Sequence, residues 1–92
     1  MPKKNWFYIA FKLGNDISYA IDFRNRLESI GFEADYPATK AYEDPERGHL
    51  ILMKVCGSID ILKTVVYKIE EIKCDKEGVD DPVFFIKFRM FE

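Results

Sequence analysis

The side chains able to do chemistry are few in this chain. His49 is its sole histidine, and Cys56 and Cys74 are its two thiols. An imidazole and a thiol act together only within hydrogen-bond reach. His49 and Cys56 fall on one predicted strand, where ~3.3 Å per residue holds them more than about 20 Å apart. Ser18, Ser29 and Ser58 lie in or beside predicted helices, without the G-x-S-x-G turn that exposes a serine nucleophile. Neither G-x-G-x-x-G nor G-x-x-x-x-G-K-S/T occurs, so no glycine-rich loop offers its N–H groups to a phosphate. Carboxylates gather in two loops, Glu43, Asp44 and Glu46 in one, Asp75, Glu77, Asp80 and Asp81 in the other. The second lacks the glycine and terminal glutamate spacing of a calcium loop. These residues describe a protein that is not an enzyme and holds no metal or cofactor. Its acidic loops are solvated turns, or a surface that docks a basic partner.

The composition sets further bounds. A chain of 92 residues, 48% hydrophobic and 15% aromatic, makes a single domain over residues 1–92 with its own core. Fourteen basic against sixteen acidic residues leave a net charge of -2, so no global field draws the chain to nucleic acid or to an anionic membrane. No apolar run approaches the ~18 residues of a membrane span, and no apolar leader follows Met1. Two unpaired thiols fit a reducing compartment, so the expected location is cytoplasmic.

Glycines punctuate the elements that must position any site. Gly14, Gly31, Gly48, Gly57 and Gly78 separate strand, helix, strand, strand, helix and strand. The first strand, Trp6 to Leu13, sets Phe7, Ile9, Phe11 and Leu13 on one face and Trp6, Tyr8, Ala10 and Lys12 on the other. A helix capped by Asn15 or Asp16 follows, with Ile17, Ala20, Ile21, Phe23, Leu27 and Ile30 as its apolar stripe. Phe32 to Tyr42 reads as an edge strand, since Pro37 removes a ladder donor as only an edge or a bulge tolerates. His49 to Cys56 is a third strand. Ser58 caps a second predicted helix, whose buried positions are Ile59, Leu62, Val65, Val66, Ile69 and Ile72. A polar segment from Lys73 to Pro82 leads to the last strand, with Phe84, Ile86, Phe88 and Met90 inward.

The order βαββαβ predicts an α+β, ferredoxin-like sandwich: a four-stranded antiparallel sheet in spatial order 4-1-3-2, with two helices on one face. The opposite face would stand open, carrying Trp6, Tyr8, Lys12, Leu50, Leu52, Lys54, Phe85, Lys87, Arg89 and Phe91. An apolar patch of that size marks an interaction surface. Trp6, Tyr8, Leu52 and Phe85 are the expected anchors, with Lys87 and Arg89 orienting the partner. The expected partner is a second copy of the chain in a homodimer, or a larger protein that the chain regulates or inhibits.

Single-stranded nucleic acid is the alternative, with bases stacked on sheet aromatics and phosphates held by lysine and arginine. Phe7-Tyr8-Ile9 has the form of a first-strand signature, and Arg47-Gly48-His49 begins like a third-strand one. In these two segments the chain resembles an RNA recognition motif, which implies RNA binding on the sheet. It departs at Leu50 and Ile51, where that family has a small residue and an aromatic, and at Lys54, where it closes on an aromatic. The family register would also turn His49 and Ile51 outward. No binding residue is carried over.

Overall fold

A computed structural model describes residues 5–12 and 18–88. The elements are β1 (Asn5–Lys12), α1 (Ser18–Ser29), β2 (Glu33–Asp44), β3 (Gly48–Gly57), α2 (Ile59–Leu62), β4 (Val66–Ile72) and β5 (Val83–Phe88). Five strands form one mixed sheet in the order β2-β3-β1-β5-β4. The expected ferredoxin-like α+β sandwich is therefore wrong: among the described residues the sheet has a fifth strand, and the second long helix is absent.

The first half of the chain builds as the periodicity predicts. Phe23 and Leu27 on α1 are buried against the sheet, while Ile21, expected in the same stripe, stays exposed. At the end of α1 the Phe32 N–H donates to the Leu27 carbonyl and the Gly31 N–H to that of Glu28. Gly31 takes φ 99°, the left-handed conformation this helix stop requires. β3 then lies between β2 and β1, antiparallel to both. Pro37 falls in a bulge between Asp35 and Lys40 on a strand that is also the sheet edge.

The second half departs at Ser58. The expected helix runs for one turn, Ile59–Leu62, and the chain then turns through residues 63–65 into β4. The sequence there is Thr64-Val65-Val66-Tyr67, three β-branched residues and an aromatic, which are stiff at χ1 in a helix and pack well on a pleated surface. The Thr64 hydroxyl donates to the Ile61 carbonyl at 2.6 Å, closing the short helix. The apolar positions 66, 69 and 72 serve a strand because a register shift between Val66 and Lys68 changes the alternation. Val66 and Ile69 then join the layer on the α1 side, and Ile72 the opposite layer.

Inserting β4 has two consequences. The chain reverses once more, so β5 runs parallel to β1 and not antiparallel as the sandwich required. The connection 73–82 then crosses the face expected to be open. There Tyr8, Ala10, Leu50, Leu52, Ile72 and Val83 form a second apolar layer, with Cys74 and Val79 of the connection packed on it. The Lys76 ammonium donates to the Ala41 carbonyl at 2.5 Å and the Lys40 ammonium to the Gly78 carbonyl at 3.1 Å. Lys54 meets Asp81 at 3.0 Å, and the Tyr8 N–H donates to the Pro82 carbonyl at 2.8 Å. Both faces of the sheet are thus covered by the chain itself. Among the described residues no helix is long and apolar enough to cross a membrane.

Candidate functional site

The expected anchors are divided by this covering. Tyr8 is 2% exposed and Leu52 fully buried, so neither presents a surface. Phe85 is half-buried, with the Arg47 guanidinium 5.2 Å from its ring centroid. Lys87 is exposed on β5, directly opposite Lys68 of β4. Arg89 lies outside the described residues, as do the cap at Asn15 or Asp16 and the strand end at Met90 and Phe91. Trp6 alone of the proposed apolar anchors remains well exposed, at 41%.

Trp6 sits where the connection 73–82 ends. Its register partner on β3 is Cys56, which pairs in turn with Glu33 of β2. Two residues along, Tyr8, Lys54 and Asp35 form the next row across the same three strands. Alternation puts both rows on one face, so Glu33 and Asp35 flank the indole from the β2 side. From the other side Asp81 reaches Lys54, whose ammonium lies 5.6 Å from the Trp6 ring centroid and 5.9 Å from that of Tyr8. Both ring contacts are within cation–π range. The hydrogen bond that Lys54 donates to Asp81 raises the Lys54 pKa against the lowering effect of burial, and the charges of Asp81 and Asp35 add to the rise. Burial raises the Tyr8 phenol; Lys54 opposes that shift, while Asp81, Asp35 and Asp80 add to it. The exposed indole therefore sits beside Lys54, on which Asp35 and Asp81 converge, with Glu33 on the same face of β2 and Asp80 next to Asp81 in the chain.

A second polar cluster clamps the sheet. Asp44, buried, accepts from the N–H groups of Glu46 and Arg47 at 2.8 and 2.9 Å, which shapes the β2–β3 turn. Arg47 then reaches across the covered face to Glu70 of β4 at 2.9 Å. Burial lowers the guanidinium pKa, but the hydrogen bond to Glu70 and the charges of Glu70, Asp44 and Glu46 outweigh it and raise the value. Arg47 thus joins the turn, β5 and β4, and its charge is consumed within the fold.

The groups considered for catalysis stay dispersed. His49 and Glu43 face one another across β3 and β2, and line an open apolar recess with Ala41, Tyr42, Leu50 and Ile51. No serine, threonine or cysteine lines that recess among the described residues. Cys56 and Cys74 are both free thiols, half-buried. No group of three or more His, Cys, Asp or Glu is placed to hold a metal among the described residues.

Sequence reasoning placed Trp6 on an exposed face, but did not show that Asp35 of β2 and Asp81 of the connection 73–82 converge on Lys54. Asp80 and Asp81 already stood out as an acidic pair that could dock a basic partner. Fold and site together define a mixed five-stranded sheet with both faces covered and Trp6 exposed beside the Lys54, Asp35 and Asp81 cluster. No family model, no curated protein and no solved structure matches the chain.

Proposed function

We propose that the protein is a non-catalytic binding module that takes a basic segment of a larger protein partner at Trp6 and regulates that partner. The observation carrying this reading is the exposure of Trp6 beside Lys54, on which Asp35 and Asp81 converge, where most other large apolar side chains among the described residues are buried or half-buried. Tryptophan is enriched among the residues that dominate binding energy, and its ring face attracts lysine and arginine. The carboxylates supply long-range attraction for the same partner groups. Lys54, held by Asp81, is the cation an incoming lysine or arginine would replace over the indole. The two free thiols support a reducing, cytoplasmic setting.

Trp6 is the only tryptophan, so its emission reports binding directly. A panel of basic, neutral and acidic dodecapeptides titrated at low salt tests the reading. Basic peptides are expected to shift the emission, with affinity that falls as salt rises and is lost in Trp6→Ala. Equal binding by Trp6→Ala, or no response to any basic peptide, overturns it. Binding of oligouridylate in place of the peptides would move the function to nucleic acid.

A further inference from the structure

We propose that β4 pairs antiparallel with β4 of a second copy of this chain, about a two-fold axis through Ile69, extending the two sheets into one. This surface lies two strands away from β1, and the inference stands independently of the reading at Trp6. β4 is one of the two sheet edges. The other edge, β2, is broken by the bulge around Pro37, whereas β4 pairs with β5 without interruption from Lys68 to Ile72. Tyr67 on β4 is 59% exposed, among the largest apolar exposures in the described residues.

The sequence of this edge, Tyr67-Lys68-Ile69-Glu70-Glu71, is complementary to itself when reversed. In the proposed register Lys68 faces the partner's Glu70 and Ile69 meets its own copy, with Tyr67 at the register shift flanking these pairs. Facing residues of antiparallel strands share a sheet face, so only registers shifted by whole side-chain repeats are alternatives. Shifting one way sets Lys68 against its own copy; shifting the other sets Glu70 against its own copy. Like charges directly opposite are destabilising, so the edge charges exclude the neighbouring registers and admit one. Lys68 also faces Lys87 within its own sheet, and no ion pair to either is present among the described residues. The partner's Glu70 supplies the anion this lysine pair lacks. Arg47 already holds Glu70 in place at 2.9 Å, so the acceptor is ordered before association.

The test is sedimentation equilibrium of the full chain from micromolar to millimolar concentration, with charge-swapped variants. Wild type is expected to dimerise. Lys68→Glu and Glu70→Lys, each alone, set like charges opposite twice per dimer and should raise the dissociation constant by about tenfold or more. Mixing the two variants restores opposite charges in every pair, so a mixed dimer should form. A wild type that stays monomeric throughout, single variants that dimerise like wild type, or a mixture that gives no mixed dimer overturns the proposal. Since Glu70→Lys also removes the partner of Arg47, hydrogen exchange of wild type gives a separate reading. Amides of residues 67–71 should gain protection as concentration rises, and unchanged protection also overturns the pairing.

Discussion

Tyr8 shows how one side chain changes meaning between a strand pattern and a packed sheet. On the alternation of β1 it belongs to an exposed aromatic platform, yet it lies in a layer with Cys74 and Val79 and is 2% exposed. Truncating it to alanine would create a cavity costing about 3–5 kcal/mol, so a loss of binding in that variant would report unfolding and not a lost contact. Its pH behaviour is more informative. The folded phenol titrates above its ordinary value of 10.0, chiefly because burial disfavours the phenolate. A group raised on folding contributes stability that is complete below the unfolded pKa and is lost as pH climbs through the folded one. Tyr42 and Lys54 shift in the same direction. The urea midpoint is therefore expected to fall above pH 10.0, and Tyr8→Phe should flatten part of that fall. An alkaline profile of Tyr8→Phe identical to wild type would rule Tyr8 out as a contributor.

The decisive element is the segment from Ser58 to Ile72. Its apolar spacing suits a helix, but β-branched residues at 64, 65 and 66 and a strand partner in β5 turn it into one helical turn and an edge strand. Propensity differences of this kind are worth only about 1 kcal/mol or less per residue, so they are settled by the partner available. The connection 73–82 follows from that choice, and two lysines fasten it to β2 through backbone carbonyls. Replacing both Lys40 and Lys76 by methionine is expected to loosen the connection without unfolding the sheet, since each net hydrogen bond contributes roughly 1 kcal/mol. The readout is hydrogen exchange at Cys74 to Val79, which should speed up, together with increased binding of an apolar dye to the uncovered layer. Exchange as slow as in wild type would mean that Cys74 and Val79 packing alone holds the connection.

At the scale of the whole molecule, the first strand occupies the middle of the sheet, between β3 and β5. The sheet cannot be completed until β5, almost the last segment, returns to pair parallel with β1. Such non-local pairing predicts folding in roughly milliseconds to seconds, measurable by stopped-flow emission of Trp6; microsecond folding would contradict it. The strand faces were legible in the sequence: Phe7, Ile9, Phe11, Met53, Val55 and Ile86 do share one layer, and Tyr8, Ala10, Leu50 and Leu52 the other. That follows from the two-residue period of a strand, which local order alone dictates. The stop at Gly31, the placing of Pro37 at an edge and a bulge, and Trp6 as an exposed aromatic were legible for the same local reasons. The fate of residues 58–72 was not, because the same apolar positions satisfy a helix and, with one register shift, a strand. Nor was the covering of the second layer, or the meeting of Asp35, Lys54 and Asp81 around Trp6. Local sequence by itself determined which residues of β1, β3 and β5 share a face. Only the tertiary structure decided what lies over each face, because burial is gained from whichever distant segment packs there, and no local spacing encodes that segment.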